Sequence, residues 1–149
     1  MTSGCSCHCS DHVVVSMHWG VPSDDLADYQ VSIGRAAITA GADLILGHGP
    51  HAIHALEVYD GRPIFDSLGN LIFDWPVMSG RHTDGLLVNH QLGGSEPTRL
   101  VAVRRSPTNV TTVLDGTAAD RVLGHVASMS AARGNIVTVD DGAVTVHAQ

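Results

Sequence analysis

The sequence has few positively charged residues. Eight Lys and Arg stand against fifteen Asp and Glu, so the formal net charge is −7, and the basic residues are scattered apart from the pair Arg104-Arg105. A protein that binds nucleic acid needs a basic stripe or patch to neutralise phosphates, and no such stripe is present. We therefore expect no nucleic-acid partner.

Long apolar runs are also missing. No stretch approaches the roughly 18 residues that a membrane-spanning helix needs. The N-terminus lacks the charged region and the apolar stretch of a signal peptide. We therefore expect a soluble, unexported chain without a transmembrane segment. With 44% hydrophobic and 15% charged residues over 149 positions, the composition is that of one globular domain.

Cysteine is confined to the first ten residues. Cys5, Cys7 and Cys9 lie together with His8 in a segment that has neither strand nor helix periodicity. Four ligands in five residues cannot readily surround one tetrahedral ion, although a soft metal site is the alternative interpretation. We expect residues 1–10 to be a disordered head and residues 11–149 to form the domain.

Two apolar runs separated by a helical segment predict a βαβ unit. Val13–Met17 is typical of a strand covered on both faces in a parallel sheet, and residues 43–47 form the second run. Between them, Ser23 suits the N-cap of a helix and Gly41 suits the position just after its end. The two strands should be parallel neighbours with a right-handed crossover.

The rest of the chain favours antiparallel strands. Residues 55–59 and 62–65 flank Asp60-Gly61, a dipeptide suited to a tight hairpin turn. We predict further strands at 85–92, 98–105 and 110–114, a helix at 118–130, and a closing hairpin from 135–139 and 143–147. The predicted fold class is α/β, with a βαβ unit followed by mainly antiparallel strands and a late helix.

Three of the ten histidines occupy positions that suit ligands. His18 follows the first predicted strand and His48 follows the second, at the sheet edge where open α/β folds bind ligands. His51 follows His48 through Gly49 and Pro50, which allow and fix a tight turn. We predict a divalent metal site formed by these three imidazoles. Ordinary surface or hydrogen-bonded histidines are the alternative.

Apart from His8 in the cysteine segment, the remaining histidines share no spacing and no position at a strand end. We expect them to be surface residues or to be bonded locally. His54, close to His51, is the one reserve ligand among them. This group comprises His12, His54, His82, His90, His125 and His147.

Four short motifs, in this order, resemble those of the CapA family of poly-γ-glutamate capsule biosynthesis. They are His18-Trp19-Gly20, Gly41-Ala42-Asp43, the run from Gly47 to His51, and Ser67-Leu68-Gly69-Asn70. The resemblance is strong over residues 11–74. It extends weakly to the end, where Met129-Ser130 followed by Gly134 is similar to the family's closing segment.

The resemblance implies a fold and a site. Residues 11–149 would be the C-terminal part of a calcineurin-like metallophosphoesterase domain, a layered α/β sandwich. His18, His48 and His51 would map onto its metal-binding histidines, with Mn, Fe or Zn as the ion. Family members are often associated with the cell envelope. An anionic substrate or polymer and other capsule-synthesis proteins would be the partners.

The sequence also departs from the family. The Gly-Asp and Asn-Leu-Glu motifs with which the family opens do not occur ahead of His18, so the carboxylate ligands of a two-metal centre are missing. The family usually has an aromatic residue at the position of Asp66 and a Phe at that of Leu71. We expect a fragment, a shifted start, or a chain that needs a second chain.

Two further polar residues fall in family motifs. Asn70 either donates its amide to a bound anion, which would make it a substrate-binding residue, or satisfies its own turn. Glu57 stands where the family has a glutamate, and it is either functional or paired with a nearby cation. We leave Glu57 out of the catalytic set, which the sequence does not identify.

Three functions remain open on this basis. The chain could carry a metal-dependent phosphoesterase-like site of a capsule biosynthesis protein, completed by the missing N-terminal half. It could instead be a non-catalytic accessory protein that binds the anionic polymer during synthesis or export. It could also be an inactive fragment.

Overall fold

The structure, a computed structural model, describes residues 10–22, 26–73, 80–134, 136–140 and 143–147. The predicted head, apart from Ser10, lies outside these ranges, and so do its three cysteines. Over the described residues the fold is mixed α/β, with two sheets and two α-helices. One core cluster joins both sheets to α2, and a second lies between the first sheet and α1. This confirms the predicted α/β class and agrees with part of an α/β sandwich.

The elements follow the predicted order. They are β1 (Val14–His18), α1 (Asp28–Thr39), β2 (Leu44–His48), β3 (Leu56–Tyr59), β4 (Arg62–Phe65), a 3₁₀ helix (Gly80–Thr83), β5 (Asp84–Asn89), β6 (Thr98–Arg105), β7 (Thr111–Val113), α2 (Gly116–Ala131), β8 (Ile136–Asp140) and β9 (Ala143–His147). The 3₁₀ helix was not predicted.

The N-terminal end of α1 differs from the prediction. The helix begins at Asp28 after the N-cap residue Ala27, whereas Ser23 was the predicted cap and lies outside the described residues. The side-chain oxygen of Gln30 accepts a hydrogen bond from the Ala27 N–H at 3.1 Å. A glutamine at the third helical position can satisfy the backbone donor of the N-cap residue in this way, and Ala27 itself makes no side-chain cap.

The first sheet has the strand order β1-β2-β4-β3. Strands β1, β2 and β4 are parallel, and β3 is antiparallel to β4 through the Asp60-Gly61 turn. The register of β1 on β2 pairs His18 with His48. The predicted βαβ unit and hairpin are therefore both confirmed.

Strand β1 is less buried than its apolar sequence predicted. It is an outer strand of the first sheet, and Val14, Ser16 and His18 are exposed. Only Val15 and Met17 face the interior, where they pack against the α1 side of the sheet. The expectation of a strand covered on both faces is wrong for the described residues, because an apolar run does not distinguish an outer strand from a central one.

The core lies on both faces of the first sheet. Neighbouring residues of one strand point to opposite faces, so Leu44 and Phe65 face α2 while Ile45 and Ile64 face α1. The α2 side also takes in side chains from the second sheet, including Leu86 and others from β6 and β9. Each such buried aliphatic or aromatic side chain contributes about 1.5–3 kcal/mol.

The second sheet is antiparallel, as predicted, with the strand order β5-β6-β9-β8 and with β7 paired to β6. It is joined to the first sheet beside the Ser-Leu-Gly-Asn turn. Gly69 forms a bridge with Gly85, and the Leu86 N–H donates to the Leu68 carbonyl at 2.9 Å. None of the described helices is both long enough and apolar enough to cross a membrane.

Candidate functional site at the ends of strands β1 and β2

His18 and His48 lie side by side at the carboxyl ends of β1 and β2. Their ring centroids are 4.9 Å apart and the rings are perpendicular. The Nε2 atom of His48 lies 3.1 Å from the Ser16 hydroxyl, and the Trp19 N–H donates to the His48 carbonyl at 2.9 Å. The parallel register therefore brings together two of the three predicted ligands.

The chain turns directly after His48 through Gly49. Gly49 has φ +119°, and a Cβ placed there would lie closer than 3.0 Å to the Trp19 carbonyl and 3.2 Å from the His18 ring. Only glycine combines this backbone conformation with so close an approach. The turn thus packs against the end of β1, and the buried Pro50 leads into His51.

His51 is held by Asn70. It has φ 59°, a left-handed conformation that costs a non-glycine residue roughly 1–2 kcal/mol. Its Nδ1 atom lies 2.8 Å from Asn70 Oδ1, and its ring packs on Phe73 with centroids 4.2 Å apart. The amide nitrogen of Asn70 donates to the carbonyls of His51, at 3.2 Å, and of His82, at 2.7 Å.

This network determines the tautomer of the neutral His51 ring. Because the Asn70 nitrogen donates to two carbonyls, its oxygen is the atom that faces His51. An amide oxygen only accepts hydrogen bonds, so the Nδ1 atom of His51 carries the proton and Nε2 keeps its lone pair when the ring is neutral. Histidines that bind metals have this arrangement, with the second ring nitrogen donating to a fixed acceptor.

His82 belongs to the same network. Its Nδ1 atom donates to the His51 carbonyl at 2.9 Å. We expected His82 to be a surface or locally bonded residue and did not count it among the site residues. Its position depends on the 3₁₀ helix, which no periodicity in the sequence indicates.

The described residues therefore form two groups, the pair His18 and His48 and the network of His51, Asn70 and His82. Within the described ranges, no three His, Cys, Asp or Glu side chains come together in a way that could hold a metal ion. The three-histidine metal site remains a prediction. Imidazole nitrogens suit Mn, Fe or Zn by their chemistry, but these residues would need further ligands to complete a site.

Two other candidates have structural roles. Glu57 is buried, and its Oε1 accepts a hydrogen bond from Arg35 Nε at 2.7 Å, so the interpretation of a cation-paired glutamate is confirmed. This carboxylate raises the pKa of Arg35 above its usual value. The reserve ligand His54 is buried at 2% exposure, and its backbone N–H donates to the Ser67 carbonyl.

Asp66 is a buried acidic residue that the sequence did not predict to have a role. Its side chain is fully buried, and neither carboxylate oxygen has a hydrogen-bond partner within the described residues. Burial raises the pKa of this carboxyl from 3.8 to about 7. Its backbone carbonyl accepts the Trp19 indole N–H at 2.8 Å, which ties the residue to the end of β1. The only sequence signal was an acid in place of the family's aromatic residue.

Comparison with known proteins gives matches to capsule proteins. Residues 6–75 match the family described as bacterial capsule synthesis protein PGA_cap. The matched segment contains the pair His18 and His48 and two members of the network, His51 and Asn70, whereas His82 lies outside it.

Three curated relatives are similar over segments of 80 to 114 residues. The PGA biosynthesis protein CapA of Bacillus subtilis is 46% identical over 86 residues, covering 56% of this chain and 22% of the relative. The capsule biosynthesis protein CapA of Bacillus anthracis is 38% identical over 114 residues, covering 71% of this chain and 27% of the relative. A probable polyglutamine synthesis accessory protein of Mycobacterium tuberculosis is 31% identical over 80 residues, covering 49% of this chain and 20% of the relative. This chain thus spans between a fifth and about a quarter of the length of these relatives.

Proposed function

Since residues 6–75 place this chain in the CapA family of bacterial capsule synthesis proteins, we propose that it acts in the synthesis or export of a poly-γ-glutamate capsule. The observation that carries the proposal is that the matched segment is also the segment that builds the site. It supplies the histidine pair at the ends of β1 and β2 and the network of His51 and Asn70.

We further propose that this sheet edge provides the histidine ligands of a divalent metal ion. The donors are His18, His48 and His51, and the carboxylate ligands come from chain outside this sequence. Support comes from the fixed lone pair on His51 Nε2 and from the adjacent rings of His18 and His48. A bound Mn, Fe or Zn ion would supply an activated water and charge stabilisation for phosphoester hydrolysis.

In this proposal, Asn70 positions His51. Both atoms of its amide are engaged with His51 and His82. It therefore sets the tautomer and the direction of one ligand, as outer-shell residues of metal sites do. Direct contact between Asn70 and an anionic substrate stays a prediction.

A second candidate function is a non-hydrolytic accessory role. It is favoured by the lack of a three-ligand metal group within the described part of the chain and by the accessory role in the name of the mycobacterial relative. The histidine edge would then bind carboxylates of the polymer without cleaving a bond. An inactive fragment is the remaining possibility.

Metal titration tests the proposed site. Calorimetry with Mn²⁺ and Zn²⁺ should show saturable binding to the longest natural form of the protein, weakened at least about tenfold by His18→Ala, His48→Ala or His51→Ala. His90→Ala is the control, because His90 bonds to Thr98 on the second sheet. Wild-type protein without metal binding, or equal losses in all four variants, would reject the site.

A chromogenic phosphodiester assay then separates the two functions. It should use the longest natural form of the protein with Mn²⁺ present. Hydrolysis that the three histidine variants abolish supports the phosphoesterase. Binding of oligo-γ-glutamate without any hydrolysis supports the accessory role.

A further inference from the structure

A cavity of about 580 Å³ lies between α2, the start of β5 and the loop that follows His51. Its volume falls in the range that accommodates small ligands. One wall is apolar and includes Ile53 and Val122. The polar wall combines Asp84 and Arg104 with Arg121 and His125, the last two from one face of α2. None of the predicted metal ligands lines it.

The charges in this cavity do not cancel. Arg104 donates to both carboxylate oxygens of Asp84, at 2.6 and 2.9 Å, so these two groups neutralise each other. Asp84 also raises the pKa of Arg104 above its usual value. Arg121 makes no ion pair within the described part of the chain and is exposed to solvent. The cavity therefore presents one uncompensated guanidinium next to an apolar wall.

We propose that this cavity binds a carboxylate-bearing chain, with Arg121 holding the carboxylate and Ile53 and Val122 packing against methylene groups. A single free guanidinium matches the single charge of a carboxylate and forms bidentate hydrogen bonds with it. The apolar wall suits the two methylenes between the carboxyl groups of a glutamyl unit. The assignment to γ-linked glutamate rests on the proposed function, whereas the preference for a carboxylate follows from the cavity alone.

Titration of the chain with glutarate and with a γ-linked glutamate pentamer tests this inference. Both ligands should bind saturably at low salt, and Arg121→Gln should weaken both at least about tenfold, since a charge-assisted hydrogen bond contributes about 1.5–3 kcal/mol. Arg99→Gln removes the same charge from an exposed position on β6 that does not line the cavity. This control should change affinity less than twofold.

A second variant should act in the opposite direction. Asp84→Asn keeps the shape of the side chain but frees Arg104 from its neutralising partner. Binding of both ligands should then become several-fold tighter. Thermal melts of each variant check that the chain still folds.

Several outcomes would overturn the proposal. Equal weakening by Arg121→Gln and Arg99→Gln would show that binding follows net charge alone. Inorganic phosphate binding more tightly than glutarate would remove the carboxylate preference, and no binding of glutarate by the wild-type chain would remove the site. Glutarate binding without pentamer binding would reject only the capsule polymer as the ligand. The metal titration tests the proposed metal site separately, because it uses the histidine variants and none of the cavity variants.

Discussion

The Nδ1 atom of His51 lies 2.8 Å from the Oδ1 atom of Asn70, and this hydrogen bond determines which nitrogen of the imidazole carries the proton. The Asn70 amide cannot turn round, since its nitrogen donates to the carbonyls of His51 and His82. A flipped amide would place its oxygen against two other oxygens. The neutral His51 ring therefore keeps its lone pair on Nε2, as the proposed metal site requires.

Replacing Asn70 should release the tautomer of His51. We expect nitrogen NMR of the wild-type chain to show a protonated Nδ1 and an unprotonated Nε2 in neutral His51. Asn70→Ala should give a mixture of tautomers and lower the free energy of unfolding by about 1–3 kcal/mol, because the partly buried carbonyls of His51 and His82 lose their donor. Asn89→Ala, at an exposed position, is the control. A protonated Nε2 in the wild-type chain would contradict this prediction.

Gly49 should tolerate no side chain. Gly49→Ala combines a positive φ with a Cβ that would overlap the Trp19 carbonyl, whereas Gly41→Ala has a positive φ of 110° and open space around the added atom. We expect Gly41→Ala to cost about 1–3 kcal/mol through backbone strain alone. Gly49→Ala should cost more and should move His48 and His51 apart.

Urea denaturation and NMR spectra of the histidine rings check this pair of variants. Similar losses of stability in both would mean that backbone conformation, and not the approach to Trp19, requires the glycine. Shifted ring signals of His18, His48 and His51 in Gly49→Ala alone would support the role of the turn in placing the site.

Local signals predicted much of this fold. The apolar runs before His18 and His48 fixed two parallel strands, and their shared register could be anticipated because parallel strands end at the same edge. The Asp60-Gly61 hairpin was equally predictable, since both residues adopt the positive φ that the tight turn requires. The closeness of His18 and His48 follows from the two apolar runs and from the shared edge at which parallel strands end.

The parts of the site that depend on contacts between residues far apart in the sequence could not be predicted. The contacts of His51 with Asn70 and His82 join residues 19 and 31 positions apart, and no periodicity links such positions. The exposure of β1 depends on which strands pair beside it, which its own sequence does not encode. The burial of Asp66 likewise depends on the packing of the whole first sheet.

Asp66 should make stability depend on pH. The pKa of this carboxyl is about 7 in the folded chain against 3.8 as its ordinary value, because it is buried and has no hydrogen-bond partner among the described residues. Between these values the folded chain holds a proton that the unfolded chain releases. The free energy of unfolding should therefore fall as pH rises from about 4 to about 7, by a total on the order of 4 kcal/mol.

Asp66→Asn should remove this part of the pH dependence. Urea denaturation at pH 5 and pH 8 should show the variant and the wild type converging at the lower pH and the variant more stable at the higher one. Asp60→Asn provides a control at an exposed turn position, where asparagine also accepts the positive φ. A wild-type chain that gains stability between pH 5 and pH 8 relative to Asp66→Asn would contradict the prediction.

Ser130 should connect α2 to the first sheet. Its hydroxyl oxygen accepts the Leu56 N–H of β3 at 2.9 Å, while its proton goes to the Val126 carbonyl at 2.8 Å, and the side chain is fully buried. Ser130→Ala leaves the Leu56 N–H buried without an acceptor. We expect this variant to lose about 1–3 kcal/mol, despite the better helix propensity of alanine.

The exposed Ser128, half a turn earlier on the same helix, allows a matched comparison. Ser128→Ala should change the free energy of unfolding by less than about 0.5 kcal/mol. Hydrogen exchange adds a local measurement, because the Leu56 amide should exchange faster only in Ser130→Ala. If both variants were equally stable and Leu56 stayed protected, the hydroxyl would not be the link between the helix and β3. The resemblance of Met129-Ser130 to the family's closing segment would then need another structural reason.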